Sequence, residues 1–167
     1  MKYFITGQII AVSFMSCTTP ESVTDGEDSP ASDASPEWFD NRIASSSDTT
    51  SFYGYSLAAA SDSAEAVNIS TEMALQNLRF EIDRFAEGIR EKAEETTGAA
   101  RYQSGEFIFS LRDKIQSLDL SDASITRHHK SNSEGVHHHF SRAELPRDEV
   151  KALISSAVSD NAFLEEL

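Results

Sequence analysis

Residues 52–59 read Phe52-Tyr53-Gly54-Tyr55-Ser56-Leu57-Ala58-Ala59, and their side chains alternate with a period of two. Such alternation is typical of a β-strand, because successive side chains point to opposite faces of a sheet. The two faces would carry Tyr53, Tyr55, Leu57 and Ala59 on one side, and Phe52, Gly54, Ser56 and Ala58 on the other. A glycine in the middle of a strand indicates either a β-bulge or a close approach by another backbone.

A long amphipathic helix is predicted directly after this strand. Asp62 and Glu65 have the spacing of a capping box, which places the helix start near Ser63. Residues 96–98, Thr-Thr-Gly, predict its end. Charged residues such as Glu81 and Arg90 would lie away from one apolar stripe. That stripe consists of Val67, Ala74, Leu78, Ile82, Phe85, Ile89 and Ala93.

The rest of the chain has the patterns of two shorter helices and a β-hairpin. Ser104 can cap a helix that runs to about Leu118, and Pro146 opens a final helix at a position where proline is permitted. Between them, residues 124–130 and 136–145 are predicted strands around a turn at residues 131–135. The alternation changes phase in the second strand, and a bulge near Ser141 would reconcile the two phases.

These elements predict an α+β fold in one domain over residues 36–167. A small sheet, made of one N-terminal strand plus a C-terminal β-hairpin, would pack against a long helix and two shorter helices. The domain would open at Pro36-Glu37-Trp38-Phe39, with Trp38 docked on it or, alternatively, available to stack on a ligand. Residues 40–51 are predicted to form a polar loop.

The N-terminal residues have the pattern of a secretory signal. Lys2 supplies a positive charge, and an apolar stretch follows that is strongest over residues 9–15. The stretch is shorter than the roughly 20 apolar residues of a membrane-spanning helix, and its size fits a signal peptide. Phe14-Met15-Ser16-Cys17 resembles the bacterial lipobox, in which a small residue precedes the cysteine that receives the lipid. We therefore predict a lipoprotein signal peptide over residues 1–16. We also predict that Cys17 is lipidated and that palmitate is one of its acyl groups. The alternative is a free thiol.

Residues 17–35 are predicted to be the lipidated cysteine and a disordered, acidic tether rich in Ser, Thr and Pro. Residues 18–35 contain five acidic residues and no basic one. Such a segment has too few aliphatic side chains to offset the entropy of ordering it. Thr18 stands where an aspartate would favour the inner membrane. We therefore expect an outer-membrane lipoprotein whose domain faces the periplasm or the cell surface.

The charge of the chain restricts its partners. The formal net charge is −14, and cleavage before Cys17 would leave 13 basic against 28 acidic residues, a net charge of −15. A surface of this sign repels phosphate backbones, so no nucleic-acid partner is expected. Cys17 is the single cysteine, so its lipidation excludes a disulfide. The expected partners are the membrane, through the lipid anchor, and envelope proteins or further copies of the chain.

All five histidines lie within twelve residues of the predicted hairpin: His128, His129, His137, His138 and His139. If Lys130 pairs with Val136, then His129 faces His137, and His139 lies two residues along on the same side. Three imidazoles near one point could bind zinc or copper. The alternative is a polar hairpin whose imidazoles are simply solvated.

The sequence favours no enzymatic function. It contains no nucleophile elbow, no phosphate-binding glycine loop and no EF-hand calcium loop. It therefore indicates no cofactor beyond the zinc or copper ion of the hairpin.

Several features together resemble a known family: the lipidated Cys17, the polar tether, Pro36-x-Trp38, Tyr53-Gly54 and Ala74-Leu75-x-Asn77-Leu78. They are similar to the Lpp-twenty family of bacterial outer-membrane lipoproteins, which includes flagellum-associated lipoproteins of the FlgP type. The resemblance implies a structural, assembly or protein-binding role in the cell envelope, and a flagellar role in one branch. The alternative function is a periplasmic metal-binding module that uses the His-rich hairpin.

Overall fold

The predicted strand and long helix form the centre of the fold in the computed structural model, which describes residues 35–131 and 134–167. The predicted signal peptide, Cys17 and all but the last residue of the predicted tether therefore lie outside the described residues. A short 3-10 helix, Ala100–Gln103, precedes the second helix. The other elements are β1 (Ser45–Ser47), β2 (Ser51–Ala60), α1 (Ser63–Thr97), α2 (Gly105–Gln116), β3 (Ser124–Ser131), β4 (His137–Pro146), α3 (Arg147–Ala157) and α4 (Asn161–Glu165).

The strands form one antiparallel sheet in the order β1-β2-β4-β3, and α1 packs across β2 and β4. The prediction of an α+β fold is therefore confirmed. Two elements are additional to the predicted ones. Residues 45–47, predicted as loop, pair with β2 as the edge strand β1. The C-terminal residues form a separate helix, α4, that packs against α1.

The inner face of β2 carries Phe52, Gly54, Ser56 and Ala58, all of which are buried. Gly54 lies against the backbone of Ala74 and Leu78 in α1, and a Cβ there would overlap both residues. The glycine therefore marks a close backbone approach and not a bulge. Because only hydrogen projects from Gly54 toward the helix, α1 can rest directly on the strand.

Helix α1 begins and ends where the sequence predicts. The Asp62 side chain accepts a hydrogen bond from the Glu65 amide at 2.9 Å, and Gly98 ends the helix with a φ of 65°. The predicted stripe is confirmed at Ala74, Leu78, Ile82, Ile89 and Ala93, whereas Val67 and Phe85 are half-buried.

Two charged residues of α1 are buried, although the helical pattern predicted them on the polar side. Glu81 is 2% exposed and accepts hydrogen bonds from the hydroxyls of Ser45 and Ser47 and from Arg84. Arg90 donates to the Tyr102 carbonyl and pairs with acidic neighbours on its own helix. Both charges are tolerated because their hydrogen-bonding groups find partners.

The predicted bulge near Ser141 is wrong. β4 pairs residue for residue with β2 from Pro146 to His137, and with β3 over residues 137–144. The alternation in the sequence changes phase because β4 is an inner strand that is covered on both faces. Ala143 and Leu145 face α1, while Phe140 on the opposite face packs against Phe39, with ring centroids 4.9 Å apart.

The segment before β1 therefore docks on the outer face of the sheet, as predicted for Trp38. Trp38 is half-buried, contacts Phe39 edge to face, and lies 5.6 Å from the Arg142 guanidinium. Arg142 is also 5.9 Å from the Tyr53 ring on the same face. These contacts hold Trp38 and Phe39 against the outer face of the sheet.

Gly54→Ala should lower the free energy of unfolding by at least about 3 kcal/mol, because the added methyl meets helix backbone that cannot turn aside. Gly88→Ala is the matched control, since a Cβ there has no neighbour within 4 Å. Gly88 lies inside α1, so alanine should leave stability unchanged or raise it by about 0.5–1 kcal/mol. Urea denaturation of both variants measures the difference. Equal stability of the two would show that β2 and α1 do not make this contact.

Candidate functional site

The histidine-rich hairpin is formed by β3 and β4 at one end of the sheet. The observed register pairs His129 with His139, Lys130 with His138 and Ser131 with His137. The predicted pairing of Lys130 with Val136 is therefore wrong by two residues. A shift of two residues preserves the face on which each side chain lies, so His129, His137 and His139 still share one face. That face is the one covered by α1.

The three imidazoles form a stack. The ring centroids of His129 and His139 lie 4.3 Å apart and those of His129 and His137 lie 5.4 Å apart, with interplanar angles of 19° and 21°. Nε2 of His129 is 3.2 Å from Nδ1 of His137, a hydrogen bond that requires one of the two nitrogens to be unprotonated. This bond therefore links His129 and His137 within the stack as one donor and one acceptor.

His139 is the buried member of the stack, with 6% of its surface exposed. Its Nε2 lies 3.1 Å from the hydroxyl of Ser63, the first residue of α1. Its Nδ1 is buried without a hydrogen-bond partner among the described residues. The ring therefore lies at the N-terminus of α1, with only one of its two nitrogens in a hydrogen bond to a described residue.

Burial lowers the pKa of His139, and the nearby His129, His137 and Arg127 lower it further. Arg127 lies on the same face of β3 and donates to the Thr71 hydroxyl of α1 at 3.1 Å. The groups that face His139 from β3, β4 and α1 are thus cationic or neutral. Among these neighbours no carboxylate offsets a charge on the ring.

The other two histidines lie on the outer face of the sheet. His128 pairs with Phe140, and its ring centroid is 6.0 Å from the Phe140 ring. His138 pairs with Lys130 and with Ala59 of β2. Pairing of Lys130 with Val136 would have placed His138 opposite His128, but the observed register places Phe140 there.

Within residues 35–131 and 134–167, no group of three or more His, Cys, Asp or Glu side chains is arranged to hold a metal ion. The structure brings His129, His137 and His139 together, but their rings are stacked instead of directing three nitrogens at one point. A zinc or copper site would require at least one ring to rotate out of the stack. Metal binding by these residues stays a prediction. Lipidation of Cys17, outside the described residues, also stays a prediction.

Sequence reasoning missed two groups that belong to this site. Ser63 was recognised only as the start of a helix, and Arg127 only as part of a strand. Neither carries a motif: Ser63 reaches His139 through the packing of α1 on the sheet, and Arg127 lies two residues before His129 in β3. The alternation of residues 124–130 does place Arg127 and His129 on one face, and that signal could have identified Arg127.

The chain was compared with protein families, with curated proteins and with solved structures, and none of the three comparisons finds a match. In the part of the chain that the structure describes, no helix is long and apolar enough to cross a membrane. The site must therefore be interpreted from its own geometry.

The depressed pKa of His139 predicts a pH dependence of stability. The unfolded chain takes up a proton near pH 6.5, whereas the folded chain takes it up at lower pH, so protons favour unfolding. The free energy of unfolding should decrease as the pH falls from about 7 to 5.

His139→Gln should flatten this decrease, because the variant has no titrating group at the buried position. His128→Gln is the matched control, since His128 is exposed on the other face of the hairpin, and it should leave the slope unchanged. Chemical denaturation at several pH values measures each slope. The assignment is wrong if both variants keep the wild-type pH dependence.

Proposed function

We propose that the protein is a lipid-anchored lipoprotein of the bacterial outer membrane with a structural, assembly or protein-binding role. The sequence pattern at residues 1–17 supports the anchor, and the acidic residues 18–35 would act as its tether. The domain would face the periplasm or the cell surface and contact envelope proteins there. The resemblance to the Lpp-twenty family supports the same role, with a flagellar location as one version of it.

One structural observation carries this proposal. The chain enters the domain on the outer face of the sheet, where Phe39 packs on Phe140. Helix α1 covers the opposite, inner face. The tether would therefore leave the domain on the side away from α1. This arrangement would leave the side of α1 on which Ile69, Met73 and Phe80 are exposed away from the point where the tether joins the domain, and so accessible to other proteins.

A second candidate function, a periplasmic metal-binding module, is favoured by the clustering of His129, His137 and His139 on one face. Stacking of the rings and the burial of His139 count against it. In a metal site, each ligating imidazole must be neutral and supply a nitrogen lone pair at about 2.0–2.1 Å from the ion. Nε2 of His139 already contacts the Ser63 hydroxyl, so only its buried Nδ1 could serve as a ligand without breaking that contact.

The anchor is tested by Cys17→Ser in cells supplied with radiolabelled palmitate. The variant should incorporate no label and should leave the membrane fraction, because the chain has no other thiol. Thr19→Ala serves as the matched control and should keep both label and membrane location. Label retained by Cys17→Ser would overturn the proposed attachment.

Calorimetric titration with zinc at neutral pH separates the two candidate functions. We expect no one-to-one binding tighter than about 1 μM, a free energy of about −8.2 kcal/mol. The triple variant His129→Asn, His137→Asn, His139→Asn should be titrated in parallel. Tighter binding by the wild type that the triple variant loses would establish the metal-binding function instead.

A further inference from the structure

The outward side of α1 carries a row of apolar side chains. Ile69, Met73 and Phe80 are 38%, 43% and 59% exposed. Their spacing of four and seven residues aligns them along one line of the helix, with Gln76 between the last two. Single exposed apolar residues are ordinary, whereas exposed apolar residues grouped on one side of a helix are typical of interaction sites. The row spans about 16 Å at 1.5 Å per residue.

A groove runs beside this row, between α1 and the loop that follows α2. Its volume is about 350 Å³, and Leu75 and Leu120 supply its apolar lining. The polar lining residues are Glu72, Gln76, Arg79 and Ser121. Because Glu72 and Gln76 neighbour the apolar row on the helix, row and groove form one surface, here called the α1 surface. Its shape suits an elongated partner that lies along the helix.

The charged residues of the α1 surface indicate the sign of the charge that its partner should carry. Acidic residues in the second half of α1 are paired, as Glu81 is with Arg84 and Glu87 with Arg90. Glu65 and Glu72 flank the N-terminal half of the row, and neither carboxylate makes an ion pair with any described residue. Arg79 is the cation among the lining residues of the groove, and its guanidinium donates to the Leu118 carbonyl. The surface therefore presents two unpaired carboxylates and one cation beside exposed apolar groups.

We propose that the α1 surface binds a basic amphipathic helix of another protein. Apolar side chains of that helix would cover Ile69, Met73 and Phe80, and its lysines or arginines would pair with Glu65 and Glu72. The inference rests on the proposed protein-binding function and specifies the partner. A second copy of the chain fits less well, because two chains of net charge −14 repel each other.

The probe is a labelled synthetic peptide of about 18 residues, roughly 27 Å as a helix, with leucines along one face and lysines on both flanks. It is titrated against the full-length chain carrying Cys17→Ser, by fluorescence anisotropy. Met73→Ser with Phe80→Ser should weaken binding at least tenfold. Glu65→Gln with Glu72→Gln should weaken it at least threefold and reduce its salt dependence.

Two controls make the test specific. Phe109→Ser removes an aromatic side chain on α2 that is 74% exposed, and it should change the affinity less than twofold. A peptide with glutamate in place of every lysine should bind at least tenfold more weakly. Circular dichroism confirms that each variant is folded.

The proposal is overturned if the wild type does not bind the probe, if Phe109→Ser weakens binding as much as the double variant, or if the glutamate peptide binds equally. It is also overturned if the wild type sediments as a dimer and the variant with Met73→Ser and Phe80→Ser sediments as a monomer. The α1 surface would then bind a second copy of the chain. Palmitate labelling of the double variant with Cys17 intact tests the anchor separately. If the probe peptide does not bind as expected but Cys17 is still labelled with palmitate, only the proposed binding of a basic helix is rejected.

Discussion

The contact between Gly54 and the backbone of Ala74 and Leu78 is the constraint on which the rest of the fold depends. It sets the distance between β2 and α1 at the point where they cross. Small residues continue this close packing toward the N-terminus of the helix, where Ser56 donates to the Ser70 carbonyl. Toward the C-terminus of the helix, larger side chains such as Phe52 of β2 and Ile82 of α1 form the main apolar core.

The position of α1 on the sheet also determines the chemistry of the hairpin. The helix begins at Ser63 directly over the inner face of β4, so its N-terminus contacts His139. A histidine at this position would be half-exposed and free to titrate in an isolated hairpin. In the folded protein it is enclosed by α1, β3 and β4, and its neighbours are neutral or cationic. The environment thus follows from packing and not from the histidine-rich sequence alone.

Both sides of α1 carry exceptions to the usual distribution of residue types. On the packed side, Glu81 and Arg90 are buried because serine hydroxyls, a carbonyl and neighbouring charges satisfy them. On the outward side, Ile69, Met73 and Phe80 remain exposed. The buried charges have a structural role, because Glu81 binds β1 to α1 and Arg90 binds the 3-10 helix to α1. The exposed apolar row has no such internal explanation, which is why it is interpreted as a surface for a partner.

The sequence by itself determined the α+β class, the bounds of β2 and α1, both helix caps and the histidines that share a face. These features follow from local rules: alternation with period two, capping geometry, and the parity of strand positions. Only the tertiary structure decided the strand β1, whose three serines have no strand pattern and are held by β2 and Glu81. It also decided the hairpin register and the continuous pairing of β4. A strand covered on both faces loses the alternation that would report its register, so contacts with α1, Phe39 and the neighbouring strands select the pairing instead.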